Sequence, residues 1–256
     1  MTIESHKADY MDLSGKTILI TGAAQRVGRA LALAVAKAGA DVVIHYNHSQ
    51  SEAESLQSQI QQLNRRAWLL SADLSDPGQA QSLIGRALEL SPLYGLVNSA
   101  SIFEPLNWSD TDLASWDRHL MVNLTAPFLL SQAFARALPE KEDGRIVNLL
   151  DWRALRPGAD HLPYTISKAA LAALTRSLAL AFAPHITVNG LALGAILPPS
   201  SGEAETSATL AKIIAPVPAG RWADLEEVCQ ALLFLLQGPA FITGEIIHLD
   251  GGRHLV

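Results

Sequence analysis

Short β-branched and aliphatic runs alternate along the chain with longer segments whose apolar residues recur every three or four positions. The first run, Thr17 to Thr21, leads at once into glycine and small residues. A helical pattern then stops at Gly39, and a second run covers Val42 to Tyr46. That is a βαβ unit with a glycine helix stop. The alternation continues with a helix near Ser51–Leu63, a strand at Ala67–Ser71, a helix over 77–90 with Pro77 in its first turn, and a strand at Leu93–Asn98. Helical segments over Asp112–Leu138 precede a strand at Arg145–Leu150, a helix over 163–182 and a strand at Ile186–Leu191. A helix around Leu225–Leu236 and a strand at Glu245–Asp250 complete the series. About seven strands alternating with helices predict one α/β domain, a Rossmann-type, doubly wound parallel sheet with helices on both faces. Residues 1–13 read as a flexible polar extension and 14–256 as the single domain. The stretch Leu193–Arg221, rich in Pro, Gly, Ser and Ala, reads as irregular. Its place after a strand's C-terminal end makes it a candidate substrate loop over the cleft.

Composition narrows the partners. Only 17% of the 256 residues are charged, below the usual quarter or so, so some surface is expected to be buried between subunits. A net charge of −6 with no basic stripe excludes a nucleic-acid footprint. The lone Cys229 sits in an apolar helical pattern and reads as a buried small hydrophobe, with no disulfide or thiolate metal site within one chain. The polar N-terminus, with Glu4 and Asp9, does not read as a signal peptide. No stretch reads as a membrane span. A cytoplasmic setting is the expectation.

Candidate chemistry begins at the first turn. Thr21-Gly-Ala-Ala-Gln-Arg-Val-Gly28 joins the first strand to its helix, where Gly22 and Gly28 permit a tight turn. Free N–H groups of the helix N-terminus, from Val27 onward, would face a pyrophosphate. The spacing is not the strict G-x-G-x-x-G, and a βαβ unit without nucleotide has the same outline. An NAD site needs an acid at the end of the second strand. Here His45-Tyr-Asn-His-Ser49 has none. Arg26 could reach a 2′-phosphate, with Asn47, His48 and Ser49 adding donors, which points to NADPH; Arg26 could equally be a solvated loop residue. Asp73, followed by Leu74, could accept from an adenine amine or cap the helix beginning near Asp76. Asn98-Ser99-Ala100-Ser101 would line the cofactor's floor. Further on, Tyr164 and Lys168 lie four apart on one helical face, where an ammonium beside a phenol is expected to lower the phenol's pKa below about 10. The same spacing also occurs on ordinary surface helices.

Together these pieces resemble the short-chain dehydrogenase/reductase family over about Lys16 to Gly252. The motif T-G-x-x-x-G-x-G matches Thr21 to Gly28, with Arg26 at the middle glycine. N-N-A-G matches Asn98 to Ser101, and the helix asparagine matches Asn123. Y-x-x-x-K is Tyr164 to Lys168, and N-x-x-x-P-G ends at Leu193-Gly194 with leucine replacing proline. Within the family, the TGAAxR opening, Asn98-Ser-Ala-Ser-Ile-Phe103 and the ending LDGGRHL resemble pteridine reductases and the dihydromonapterin/dihydrofolate reductase type. Asp151 stands where the family usually has serine, as in that subgroup.

The resemblance implies NADPH as cofactor, a reduced pterin as substrate and a homotetramer. It implies catalytic roles for Asp151, Tyr164, Lys168 and Asn123, the last holding a water. Cofactor contacts are implied at Leu193 and Gly194 as well as at Tyr164 and Lys168. Substrate contacts are implied at Ser101, at Phe103 as a stacking plate, and at Asp151 and Tyr164. A carboxyl at position 151 would repel a developing alkoxide but could help protonate a nitrogen. Two alternatives stay open: a carbonyl or 3-oxoacyl reductase, and a non-catalytic NADPH-binding sensor or scaffold.

Overall fold

The computed structural model describes residues 12–140, 142–197 and 207–256. Seven parallel strands form one sheet in the order β3-β2-β1-β4-β5-β6-β7. They are β1 Thr17–Ile20, β2 Asp41–Tyr46, β3 Ala67–Ser71, β4 Gly95–Asn98, β5 Gly144–Asp151, β6 Ile186–Leu193 and β7 Ile246–Leu249. The connecting helices are α1 Arg26–Lys37, α2 Gln50–Gln62, α3 Pro77–Leu88, α4 Leu113–Leu120, α5 Ala126–Ala137, α6 Leu162–Phe182, α7 Ser207–Ile214 and α8 Leu225–Gln237. The order reverses between β1 and β4, so a crevice opens at the strands' C-terminal ends where β1 and β4 diverge.

The strands are apolar on both faces because both faces are covered. Ile18 and Ile20 of β1 join Val42, Ile44 and Val97 in one core with Leu31 and Val35 of α1, Leu56 of α2 and Leu232 of α8. Leu19, Val43, Leu96 and Ile146 point the other way, into a second core with Leu83 of α3, Phe134 of α5 and Leu178 of α6. Leu19 is fully buried, so Leu19→Ala would cost about 2–5 kcal/mol.

Three points differ from the sequence reading. Leu13, expected in the flexible extension, is fully buried in the first core; residues 1–11 lie outside the described part. The stretch read as an irregular loop contains α7, because Ser-Ala-Thr-Leu-Ala-Lys-Ile-Ile has helical periodicity that the neighbouring Pro and Gly residues mask. Residues 198–206 of that loop lie outside the described part. Finally, α6 is long and apolar enough by length and composition to cross a membrane. In the fold it is a core helix, with Leu171, Thr175, Leu178 and Ala179 buried on the side that faces β5 and β6.

Candidate active site

Thr21 follows β1 and stitches the crevice together: its Oγ1 accepts from the N–H groups of Ser99 and Ala100, both at 3.0 Å. Gly22 follows with φ +63°, and a Cβ there would stand 2.9 Å from the Ala100 Cα. Only glycine lets the two strand ends meet so closely. Gly22 N–H also donates to His45 Nδ1 at 3.1 Å, while His45 Nε2 lies 3.1 Å from the Ala72 carbonyl. The buried ring is therefore neutral, with its proton on Nε2. Desolvation pushes its pKa down to about 4, against the Ala72 carbonyl's opposing pull. His45 thus fixes the glycine turn to β3, a role that sequence inspection missed. A buried histidine at a strand's C-terminal end was the available signal.

A cavity of about 590 Å³ opens over this turn. Gly22, Arg26, Val27, Gly28, Asn47, His48, Asp73, Leu74, Ser99, Ala100 and Ser101 line it. The N-terminus of α1 faces it with no side-chain cap from Gln25, and the positive end of the helix dipole there suits an anion. No carboxylate lies at the end of β2, where Asn47 and His48 take that place. These features fit a dinucleotide: a pyrophosphate over the turn, and a ribose end bordered by amide, imidazole and guanidinium. Asp73 does not cap α3. Its Oδ1 accepts from Ser75 N at 2.9 Å, and Asp76 caps the helix through Gly78 and Gln79. Arg118 of α4, not anticipated from the sequence, also lines the cavity and pairs with Glu104 at 2.6 Å.

Six anticipated cofactor contacts lie off this cavity: Ser49, Asn98, Tyr164, Lys168, Leu193 and Gly194. Ser49 sits at the N-cap of α2. Asn98 is buried and donates to Asn148 Oδ1 at 2.8 Å, which donates in turn to Thr175 at 2.9 Å. Asn98 therefore braces β4 and β5 against α6, and does not face the floor. Leu193 packs in the first core, and Gly194 is so close to β7 that a Cβ would stand 2.6 Å from the Asp250 Cα. Both were expected to touch the cofactor; in the fold they join β6 to β7.

Beyond Ser101 the crevice meets the reactive side chains. Asp151 ends β5, and its Oδ2 accepts from the Tyr164 hydroxyl at 3.0 Å. Its Oδ1 accepts from Arg153 N at 2.8 Å. Burial raises the Asp151 pKa, with Arg153, Tyr164 and Lys168 opposing. Tyr164 lies in the first turn of α6, and its hydroxyl is held well above the ordinary phenol value by burial first and by the Asp151 charge second. This reverses the expectation from the Y-x-x-x-K spacing. Lys168 donates to the Leu149 carbonyl at 2.7 Å, and its ammonium lies 5.7 Å from the tyrosine ring centre. Among the charges acting on the phenol, the Asp151 carboxylate has the largest effect, after burial itself. Burial lowers Lys168 to about 8, with Asp151 pulling the other way.

Asn123 lies in a π-helical turn, Met121–Thr125, between α4 and α5, and such turns recur at functional sites. Its amide is fully engaged. Oδ1 accepts from Ser101 Oγ at 3.1 Å and Ile102 N at 2.9 Å, while Nδ2 donates to Ile102 O at 3.0 Å and Ser167 Oγ at 3.1 Å. The side chain thus clamps the 101–102 loop to α6 and has no capacity left for the expected water. Pro127 has no N–H to donate to the Asn123 carbonyl. Phe103, 52% exposed, stacks on His161 at 4.0 Å and meets Tyr164 edge-on at 4.6 Å.

A family model described as enoyl-(acyl carrier protein) reductase matches residues 22–254. Among solved structures, FolM alternative dihydrofolate reductase 1 from Brucella canis, complexed with NADP, is 34% identical with a TM-score of 0.88 and 96% of each chain covered. A short-chain dehydrogenase from Burkholderia cenocepacia, also with NADP, is 34% identical with a TM-score of 0.87, covering 94% of this chain and 99% of that one. Among curated proteins, L-rhamnose 1-dehydrogenase (NAD(P)(+)) of Sphingomonas is 32% identical, over 95% of this chain and 98% of its own. The crevice at the strand reversal, the Tyr164–Lys168 pair beside it and these matches across the fold agree: the chain belongs to the short-chain dehydrogenase/reductase family.

Proposed function

We propose that this chain is an NADPH-dependent reductase of dihydropterins that delivers hydride to a ring carbon and a proton to the adjacent nitrogen. The observation that carries the reading is the 3.0 Å contact from the Tyr164 hydroxyl to Asp151. A carboxyl in that place disfavours an alkoxide and favours protonation of a nitrogen. The likeness to a dihydrofolate reductase type solved with NADP supports both cofactor and substrate class.

The cofactor, when bound, supplies the hydride. The Gly22 turn and the α1 N-terminus seat its pyrophosphate, with Arg26, Asn47 and His48 at the 2′-phosphate and Asp73 at the adenine. Tyr164 keeps its proton at neutral pH and gives it to the ring nitrogen of the substrate. Asp151, whose burial favours its protonated form, returns a proton to the tyrosine oxygen. Lys168 holds positive charge at the floor of the site, which limits the negative charge on that oxygen. Asn123 fixes the loop that carries Ser101 and Phe103, and Phe103 offers a plate for a planar heterocycle. A homotetramer is part of the proposal, supported by the exposed Phe128, Leu180 and Phe241.

The test follows NADPH oxidation with dihydropterins, quinonoid dihydropterin and a 3-oxoacyl thioester in parallel. Turnover of the pterins and not the thioester is expected. Turnover of the thioester alone would replace the reading with a carbonyl reductase, and cofactor binding without any turnover would make the chain a sensor or scaffold.

A further inference from the structure

Phe103 is an exposed aromatic on a loop, and such a ring has no reason to hold one angle unless something backs it. The residue that backs it is His161, at the N-cap of α6, with its ring 4.0 Å from Phe103 and only 10° from parallel. His161 is itself anchored, because its Nδ1 lies 2.9 Å from Asp160 Oδ2, and that same oxygen accepts from the Arg153 guanidinium at 3.0 Å. Arg153 sits beside Trp152, its guanidinium carbon 4.8 Å from the ring centre, and its backbone N–H holds Asp151 at 2.8 Å. Asp151 holds Tyr164 at 3.0 Å, and Tyr164 meets Phe103 edge-on at 4.6 Å. The contacts close into a ring through Tyr164, Asp151, Arg153, Asp160, His161 and Phe103. The proton donor and the aromatic plate are thereby held at one mutual angle.

We propose that His161 is a positioning residue: its ring backs Phe103 and, anchored by Asp160 and Arg153, sets the angle of the plate to Tyr164. The inference rests on the reading of Phe103 as the plate for a planar substrate. An unbacked plate must be ordered by the substrate as it binds, so the loss falls on KM more than on kcat.

The experiment compares His161→Ala, His161→Phe, Asp160→Asn and Phe103→Ala in steady-state kinetics with a dihydropterin, alongside NADPH affinity by fluorescence titration. His161→Ala is expected to raise KM about three- to tenfold, the scale of one aromatic pair, with NADPH affinity and the thermal midpoint unchanged. His161→Phe, which keeps the ring and loses the anchor, is expected to restore most of the lost KM, and Asp160→Asn to give an intermediate rise. An unchanged KM in His161→Ala overturns the inference. So does a lowered one, which would mean that the ring occupies the substrate's own place. If Phe103→Ala raises KM while His161→Ala does not, the inference falls and the plate stands. If Phe103→Ala leaves KM unchanged, the plate reading falls and the inference with it.

Discussion

The Tyr164 hydroxyl rests on Asp151 Oδ2 at 3.0 Å, and each group moves the other's proton affinity. Burial first and the Asp151 charge second keep the phenol protonated, and burial raises the carboxyl's own pKa. The pair is built to keep protons available, which suits a reduction that ends on nitrogen.

Replacing Asp151 with serine removes both the acceptor charge and the proton reserve. The Tyr164 pKa then loses its second-largest upward cause. Asp151→Ser is expected to lower kcat/KM for a dihydropterin about 10²- to 10³-fold and to raise activity on a 3-oxoacyl thioester relative to the pterin. The ratio of the two kcat/KM values is the measurement. An unchanged ratio would mean that position 151 does not choose the substrate class.

Lys168 carries the opposite cost. Its pKa in the fold is about 8, below the value of 10.5 it has free of the fold. Below about pH 8 it is charged in both states, and the full penalty of burying the ammonium is present. Between about pH 8 and 10.5 the unfolded chain binds the extra proton, so stability rises with pH across that window. Lys168→Met is therefore expected to stabilise the cofactor-free protein at neutral pH by up to about 3 kcal/mol, less what the Leu149 carbonyl loses with its donor, an advantage that fades as pH approaches 10.5, while abolishing turnover. Thermal unfolding at several pH values reads this out, and a destabilised variant would refute it. In the active protein, kcat/KM should fall as pH rises through about 8.

What could be read from the chain differs by length scale. The seven strands were legible, though not their order, because β1, β2, β4 and β5 are buried on both faces, which writes continuous apolar runs into the sequence. α7 was not, since nearby Pro and Gly residues dilute its pattern. Motif spacing located Tyr164 and Lys168, but the sign of the Tyr164 shift is set first by burial and then by Asp151, and spacing along α6 says nothing of either, since Asp151 comes from β5. Leu193 and Gly194 were assigned to the cofactor through a family motif. In the fold Leu193 pairs with Leu249 and Gly194 comes close to Asp250, which only the β6–β7 pairing reveals. His45 and Asn98 act through partners distant in sequence, and no periodicity marks them.

His45 predicts an acid-side weakness. Its folded pKa is about 4 against 6.5 in the unfolded chain, so the unfolded state binds more protons between those values. The stability that the neutral ring contributes is present above about pH 6.5 and is lost as pH falls toward 4. His45→Gln is expected to flatten the loss of urea resistance between those pH values, because no proton is taken up at that position on unfolding. It should also weaken NADPH binding, since the ring holds the Gly22 N–H. A variant with the same acid slope as the parent would assign that weakness elsewhere.

Cofactor choice rests on what stands at the end of β2. Asn47 and His48 line the cavity where an acid would hold free ribose hydroxyls and repel a 2′-phosphate. Asn47→Asp places a carboxylate there without a change of size. Its charge opposes the doubly charged phosphate of NADPH and accepts from the hydroxyls of NADH, so the two effects add in the selectivity ratio. The variant is expected to shift kcat/KM toward NADH by about 10²-fold, on the scale of 1.4 kcal/mol per factor of ten, mostly by loss of NADPH affinity. Arg26→Ala should move the ratio the same way by lowering NADPH affinity alone, because a guanidinium contributes to the phosphate and nothing to a hydroxyl pair. If Asn47→Asp leaves the ratio where it was, the 2′-phosphate is held away from the end of β2, and Arg26 becomes the sole candidate for reading it among the residues tested.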